Sequence, residues 1–355
     1  MTIIAITNVD LFDGHGIRHV LSQCFEGSPG NVIQPQSLPD VSVDGTGCTL
    51  IPGLIDCKVD ANSSPTALSS FAAYGVTTVI DLVSSSAENQ AMRRESRSPK
   101  MPSYLGSGCV LGSEATASRG LFPFRAVRVV KTPSEARRLV EELVEDPIRA
   151  DYINIIADQP GLDPETLAAA SHAYDAALLA GFDIVTAVPV DGPLDASTVQ
   201  GFAEQGIAVV PTLCSVQQAS QGEATPGCDF GFAIAAVRQL YCAGVRICAG
   251  TTAYQRRNTT IPFGTSLHDE LELLSKAGLS NLDVLRAATC VPATVFRLHD
   301  RGTIEAGKRA DLVLVHGTPL TDLTATRRIR QAWIEGVGVE VEMELAVKAE
   351  VEGKA

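Results

Sequence analysis

The sequence predicts an α/β fold, in which a barrel of parallel strands carries a small β-sandwich built from both ends of the chain. Three observations support this prediction. Short β-branched runs alternate with amphipathic stretches through the middle of the chain, and such alternation is typical of parallel strands with helical crossovers. The chain has 355 residues, enough for one barrel and a minor domain. Both ends show short strands broken by Gly and Pro.

Residues 51–302 are predicted to form the barrel. The strand candidates are Ile51–Asp60, Val76–Val83, Tyr104–Leu111, Tyr152–Asp158, Phe182–Pro189, Ile207–Cys214 and Val245–Thr252. Apolar residues at three- and four-residue spacing predict helices at Pro133–Glu145, Pro164–Ala180 and Phe232–Ala243. Two stretches rich in small polar residues are predicted to be loops that follow strand ends, namely Ser84–Lys100 and Ser215–Phe230.

The two ends of the chain lack helical crossovers. Residues 1–50 and 303–338 are therefore predicted to be the two halves of one composite β-sandwich beside the barrel. Residues 339–355 are charged and helix-prone, and we expect them to form a loosely packed tail.

Composition restricts the class of protein and its partners. With 45% hydrophobic and 19% charged residues, the chain can form a large packed core. A net charge of −13 disfavours nucleic acid as a partner, and no apolar run is long enough to cross a membrane. Nine cysteines without a CxxC pair indicate a reducing compartment. We expect a cytoplasmic protein that binds a small molecule, and a homo-oligomer stays open.

Several motifs occur in one order across nearly the whole chain. They begin with CTLIPGLID at Cys48–Asp56, continue with FGTSLHDEL at Phe263–Leu271 and LRAAT at Leu285–Thr289, and end with GKRADLVL at Gly307–Leu314. Together they resemble the amidohydrolase superfamily, in its branch related to imidazolonepropionase and prolidase. The resemblance implies a TIM-like (β/α) barrel with a composite β-sandwich domain.

Members of this superfamily hold one or two divalent metals at the strand ends, through histidines, often a carboxylated lysine, and an aspartate. The residues that match those positions here are Lys58 and Asp60 for the first His pair, Asn154 for the lysine, Ala187 for a His and Thr252 for the aspartate. Between Leu167 and Phe182 there is room for only one helix, so the family's fifth strand and its His are expected to be missing. We therefore expect no bound metal and no other cofactor.

Lys58 and Asp60 are two residues apart on the first barrel strand, which predicts that both side chains point into the barrel mouth. One interpretation is a structural ion pair that fills the space of the metal. The other is a desolvated Lys58 with a lowered pKa that acts as a base or Schiff-base nucleophile, with Asp60 relaying its proton. The sequence leaves both open.

Other polar residues are placed at the same mouth by the strand assignments. The predicted substrate-binding residues are Asn154, Thr186, Thr212, Thr252, Tyr254 and Gln255. Asp191 is a predicted catalytic acid or base, and Asp81 is a further carboxylate near a strand end. His268, at the start of a family helix, is expected to be structural.

Three functions fit this pattern. The first is metal-independent catalysis on a small organic molecule, of lyase, isomerase or cyclase type, in specialised metabolism. The second is a non-catalytic binding or scaffold protein. The third is a residual hydrolase of non-peptide C–N bonds that uses Asp60 with Asp81 and Asp191.

Overall fold

The computed structural model describes residues 2–27, 30–34, 38–112, 127–129, 132–145, 150–155, 182–221, 228–256 and 259–341. The strands in chain order are β1 (Ile3–Phe12), β2 (Ile17–Glu26), β3 (Val32–Ile33), β4 (Val41–Asp44), β5 (Cys48–Pro52), β6 (Leu54–Val59), β7 (Val76–Asp81), β8 (Ser103–Gly106), β9 (Val110–Gly112), β10 (Val127–Val129), β11 (Asn154–Ile155), β12 (Ile184–Thr186), β13 (Ala208–Val210), β14 (Arg246–Ile247), β15 (Tyr254–Gln255), β16 (Thr260–Ile261), β17 (Leu312–His316), β18 (Ile329–Ile334) and β19 (Val337–Val339). The helices are α1 (Ala67–Ala73), α2 (Ser86–Glu95), α3 (Pro133–Val144), α4 (Ala196–Gln205), α5 (Leu213–Ser220), α6 (Phe230–Cys242), α7 (Thr265–Lys276), α8 (Asn281–Ala287) and α9 (Cys290–Val295).

Strands from both ends of the chain form one sheet. Its order within the described residues is β19-β18-β17-β5-β1-β2-β3, with β4 beside β1. The C-terminal strand β17 pairs antiparallel with the N-terminal strand β5. In the core of this sheet the Phe25 ring meets the Trp333 ring edge-on, with 5.3 Å between centroids. The prediction that both ends combine in one β-domain is confirmed, whereas the domain boundaries stay a prediction.

Parallel strands make up the second part of the fold. β7 lies between β6 and β8, and β13 lies between β12 and β14. A backbone hydrogen bond from Cys57 N to Ala249 O (3.0 Å) connects these two groups. β9 lies parallel between β10 and β11. Because paired parallel strands run in the same direction, the residues that follow them gather at one edge.

Side chains that alternate along these strands enter two different cores. Val79 and Val209 pack in the larger core, which also holds the helix residue Phe202. The next residues along the same strands, Ile80 and Val210, pack in a smaller core. Since successive strand residues point to opposite faces, one face of the parallel strands carries helices, and both faces are buried.

Two predicted strands are each two strands in the structure. The stretch Ile51–Asp60 is divided at Gly53 into β5, which joins the terminal sheet, and β6, which joins the parallel strands. A Cβ atom at Gly53 would lie 2.2 Å from Thr77 Oγ1, so only glycine allows this crossing. Likewise Tyr104–Leu111 is divided between β8 and β9, where Gly108 has a φ of +70°.

Both predicted loops contain helices. Ser84–Lys100 contains α2, which begins with a reciprocal capping box between Ser85 and Glu88. Ser215–Phe230 overlaps α5. Small polar residues led to the loop prediction, but a capped N-terminus and a buried apolar face suffice for a short helix.

The predicted helices Pro133–Glu145 and Phe232–Ala243 agree with α3 and α6 to within two residues. The predicted helix Pro164–Ala180 and the position of the missing fifth strand lie outside the described residues, so the number of barrel strands stays a prediction. In the described ranges, no helix combines the length and apolar character that crossing a lipid bilayer requires.

Candidate functional site at the strand ends

Lys58 reaches across the ends of the parallel strands. It lies near the end of β6, and its Nζ donates a hydrogen bond of 3.4 Å to Thr186 Oγ1 on β12. Burial lowers the pKa of the Lys58 amine to about 8, because the charged form loses solvation that a neutral hydroxyl does not replace. Among the described residues, no ion pair is formed by this amine. The site therefore contains an amine that titrates near neutral pH.

Asp60 is paired with a different cation. Arg256 Nη2 donates to Asp60 Oδ2 at 3.3 Å, and the same guanidinium lies 5.0 Å from the centroid of the Tyr254 ring. Of the two interpretations of Lys58 and Asp60, the mutual ion pair is not formed among the described residues. The pleat does not continue to Asp60, because the register of β6 against β7 shifts between Asp56 and Val59 and the strand ends at Val59.

Three residues that follow neighbouring strands have left-handed backbones. Ala187 after β12, Thr212 after β13 and Thr252 after β14 have φ values of +68°, +54° and +56°. This conformation is unusual for any residue with a Cβ and is strained for a β-branched one. Such residues cost on the order of 1–3 kcal/mol each and cluster at functional sites. The strain coincides with the edge to which Lys58 and Thr186 belong.

Two polar atoms at this edge are buried without a hydrogen-bond partner in the described part of the chain. They are Thr252 Oγ1 and Asp191 Oδ2. The backbone N–H of Thr252 donates to Lys58 O at 2.7 Å, so Thr252 and Lys58 are bonded neighbours. A buried hydroxyl without a partner costs about 1–3 kcal/mol and calls for an explanation.

Asp81 is a buried carboxylate whose oxygens are occupied by protein donors. It accepts the backbone N–H groups of Ala61 (3.1 Å), Val83 (2.9 Å) and Ser84 (3.2 Å) and the Asn62 amide (3.1 Å). Burial raises its pKa to about 7. Four donors fix the turn between β6 and the next helix against the end of β7. Asp81 therefore anchors this turn, and the charge of Asp60 adds to burial in raising its pKa.

Two further buried carboxyl groups were not predicted from the sequence. Asp56 accepts from the backbone N–H (3.0 Å) and the hydroxyl (2.7 Å) of Thr251. Glu270 accepts from the N–H groups of Leu213 (2.9 Å) and Cys214 (2.7 Å), which begin α5. Burial raises the pKa of each carboxyl to about 7. Asp56 belongs to the motif GLID and Glu270 to the motif LHDEL. Membership of these motifs is the sequence signal that could have identified them.

His268 is structural, as expected. Its ring lies between Thr326 Oγ1 (3.0 Å) and the carbonyl oxygen of Tyr74 (3.1 Å). Burial lowers the pKa of His268 to about 4, so the ring is neutral at physiological pH. His268 thereby links α7 to Tyr74, which follows α1, and to Thr326, which lies between β17 and β18.

The remaining predicted binding residues differ in what their side chains contact. Asn154 Nδ2 donates to Leu82 O. The Tyr254 hydroxyl donates to Gln218 Oε1 at 2.9 Å. Gln255 is exposed, and only its backbone N–H is held, by Ser63. Of the predicted set, Lys58, Thr186 and Thr252 are therefore brought together by direct bonds, whereas these three residues are not.

The described donors at the strand ends do not fit a divalent metal. A zinc or similar site needs several deprotonated nitrogen, oxygen or sulfur ligands that converge. Here the central side chain is the Lys58 amine, Asp60 is bound by Arg256, and Thr252 supplies a neutral hydroxyl. In the described part of the chain, no three His, Cys, Asp or Glu side chains converge.

Two cavities of about 490 Å³ with described walls lie away from the strand ends, one beside β3 and one between residues 96–101 and β19. A groove of about 230 Å³ lies between α5 and α7, next to the Gln218 side chain. The strand ends are distinguished instead by the lowered pKa of Lys58, the strained backbone and the unpartnered Thr252 hydroxyl.

Comparison with known proteins agrees with this architecture. Residues 202–339 match the model of the Amidohydrolase family. A Xaa-Pro dipeptidase with bound methionine superposes on 95% of this chain and 99% of its own, with a TM-score of 0.76 and 20% identity. The chain has an amidohydrolase fold.

Other hydrolases share this amidohydrolase fold. A molinate hydrolase superposes on 96% of this chain and 95% of its own, with a TM-score of 0.74 and 17% identity. The A. niger ochratoxinase superposes on 96% of both chains, with a TM-score of 0.72 and 17% identity. No curated protein sequence matches the chain. The predicted resemblance is confirmed at the level of the fold.

Proposed function

We propose that this chain acts on a small organic carbonyl compound at the ends of its parallel strands, through the Lys58 amine and without a bound metal. One observation supports the proposal above all others. Lys58, which the motif resemblance assigns to the position of a family metal ligand, contacts the neutral Thr186 hydroxyl, and burial lowers its pKa to about 8.

The lowered pKa changes what the amine can do. At pH 7.5 a lysine with a pKa of about 8 is neutral in roughly a quarter of the molecules, compared with about one in a thousand for an ordinary lysine. Only the neutral amine can attack a carbonyl carbon or remove a proton. Lys58 is therefore the nucleophile or the general base, and Asp191 is the candidate acid.

The polar residues around Lys58 would orient the substrate. Thr186, Thr212 and Thr252 belong to neighbouring strand ends, and Asn154, Tyr254 and Gln255 complete the proposed binding set. The substrate in this proposal is a small molecule, with no cofactor, nucleic acid or membrane as partner, in the cytoplasm. The acidic composition supports the exclusion of nucleic acid.

Two reaction classes suit an amine at this position. The first is a lyase, isomerase or cyclase step, in which proton removal beside a carbonyl is the chemistry that an amine base supplies directly. The second is hydrolysis of a non-peptide C–N bond, which the likeness to the structure of phenylurea hydrolase B supports. A protein that binds such a molecule without turnover is the remaining outcome.

The experiment that tests the proposal traps Lys58 with a small carbonyl compound. The whole protein is incubated with pyruvate and sodium cyanoborohydride at pH 7.5, and the modified lysines are located by peptide mass spectrometry. Lys58 is expected to react about 250 times faster than the exposed Lys276, from the ratio of neutral fractions. Equal rates at both lysines would overturn the proposal, as would near one zinc or other transition metal per chain in elemental analysis of the native protein.

A further inference from the structure

Three unusual features coincide at Thr252. Its backbone is left-handed with φ +56°, although it is β-branched. Its N–H is bonded to the carbonyl oxygen of Lys58 at 2.7 Å. Its Oγ1 is buried and has no hydrogen-bond partner within the described residues. Strain and an unsatisfied hydroxyl both disfavour the folded state, so a role in binding would explain why they persist.

The neighbouring threonine hydroxyls are already occupied. Thr186 Oγ1 accepts the Lys58 amine. Thr251 Oγ1 donates to Asp56 Oδ2 at 2.7 Å and accepts from the Ala253 N–H at 2.8 Å. The Thr252 hydroxyl thus differs from them in having neither donor nor acceptor partner within the described residues, and the Thr252 backbone is bonded directly to that of Lys58.

We infer that Thr252 donates a hydrogen bond from Oγ1 to the carbonyl oxygen of the substrate while the Lys58 amine attacks the carbonyl carbon. This inference rests on the proposed function. As the N–C bond forms, the C=O π pair moves to oxygen, and the Thr252 hydroxyl stabilises the charge that develops there. The nitrogen then loses a proton, the oxygen gains one, and loss of water gives the imine. Thr252 therefore favours substrates whose attacked carbon carries an oxygen that can accept a hydrogen bond.

Substitutions at Thr252 separate the hydroxyl from the shape of the side chain. Thr252→Val keeps the β-branched shape and removes the hydroxyl, whereas Thr252→Ser keeps the hydroxyl. The matched control is Thr303→Val, because Thr303 Oγ1 is also buried without a partner in the described part of the chain but lies by Gly14, in the terminal region.

The readout is the initial rate of pyruvate trapping at Lys58 with cyanoborohydride. Thr252→Val is expected to lower this rate about a hundredfold, as for loss of one oxyanion donor, while Thr252→Ser stays within a few-fold and Thr303→Val equals the wild type. The pH midpoint of Lys58 modification should be the same in wild type and Thr252→Val, which shows that the amine has not moved.

The outcomes separate the two claims. Trapping at Lys58 in the wild type with an equal rate in Thr252→Val overturns the role of Thr252 and leaves the proposed function standing. A loss of rate in both Thr252→Val and Thr252→Ser, with a shifted pH midpoint, also overturns it, because the residue would then only position the backbone. Absence of selective trapping in the wild type overturns the proposed function itself.

Discussion

Charged side chains in the terminal sheet lie against oppositely charged partners, whereas the amine at the ends of the parallel strands lies against a hydroxyl. Arg309 donates from Nε to Asp311 Oδ2 at 2.8 Å and from Nη1 to Glu335 Oε1 at 3.1 Å. The Lys58 amine has only the 3.4 Å contact with the Thr186 hydroxyl among the described residues. Both cations are withdrawn from solvent, yet one is compensated and the other is not.

The difference separates residues that stabilise the fold from residues that are available for chemistry. In the terminal sheet, charge is neutralised and the backbone N–H of Glu335 is satisfied by Asp311 Oδ1 at 2.9 Å. At the strand ends, the Lys58 amine faces a neutral hydroxyl and the Thr252 hydroxyl has no partner in the described part of the chain. Native proteins keep such costs mainly where function requires them.

The largest expected effect on stability is at the Arg309–Asp311 ion pair of the terminal sheet. Arg309→Met leaves the carboxylate of Asp311, which is 3% exposed, buried without its partner. The free energy of unfolding should fall by about 3–5 kcal/mol, measured by urea denaturation at pH 7. Arg328→Met is the control, because its pair with Asp322 is exposed and such pairs contribute at most about 1 kcal/mol. Equal losses in both variants would remove the distinction between the two pairs.

The opposite sign is expected at Lys58. Lys58→Met removes the uncompensated charge and keeps most of the stem, so the free energy of unfolding at pH 7 should rise by at most about 3 kcal/mol, the value of a pKa lowered from 10.5 to about 8. Below pH 8 the folded protein carries the full penalty of the charge. The penalty disappears as pH rises from about 8 to 10.5, because the unfolded state then loses the proton too.

Urea denaturation of Lys58→Met and wild type at pH 7 and pH 10 measures this effect. The stability gap between the two proteins should shrink at the higher pH. Lys276→Met, at an exposed lysine, is the control and should stay within about 0.5 kcal/mol of the wild type. A destabilised Lys58→Met at both pH values would mean that the lysine is a structural ion-pair partner after all.

A smaller effect per residue is expected from the buried carboxyl groups. Burial raises the pKa values of Asp56, Asp81 and Glu270 to about 7, above their ordinary values. Their contribution is therefore fully present below about pH 4 and is lost as pH rises through 7, since the unfolded chain releases these protons first. Each of the three groups should lower the free energy of unfolding by about 2 kcal/mol between pH 5.5 and 7.5. Constant or rising stability over this range would contradict the assignment.

The smallest effect concerns the strained backbone. Ala187→Gly at φ +68° removes the Cβ that disfavours this conformation, and the gain exceeds the added chain entropy by about 0.5–1 kcal/mol. Ala203→Gly inside α4 is the control and should destabilise by about 1 kcal/mol. Thermal unfolding of both variants shows whether the two substitutions shift the melting temperature in opposite directions.

The sequence predicted the α/β class and the union of both chain ends, because these depend on the order of strands and on motifs such as CTLIPGLID at Cys48–Asp56. It did not predict that Asp60 pairs with Arg256. That contact depends on a register shift within β6 and on where the strand ends. The alternation of side chains along a strand predicts neither of them. The helix α2 was missed since its Ser- and Arg-rich composition outweighed its capping box.

The role of the buried carboxyl group of Glu270 could not be predicted from the sequence. Glu270 lies two residues after His268 in the same motif. Its carboxylate caps α5 by accepting from the N–H groups of Leu213 and Cys214. The capped helix lies 50 or more residues earlier in the chain, so only tertiary contacts reveal the role. Lys58, in contrast, could be predicted to lie at the mouth from the motif alone, and its lowered pKa was one of the two interpretations left open.

The most direct measurement is the titration of Lys58 itself. The protein is pulse-labelled with a small amine-reactive acylating reagent from pH 6 to pH 11, and the Lys58 peptide is quantified by mass spectrometry. The labelling midpoint is expected near pH 8, from burial without a charged partner among the described residues. A midpoint at or above 10.5, the value of an ordinary lysine, would show that the amine is solvated or paired, and the proposal that Lys58 performs chemistry at the strand ends would be contradicted.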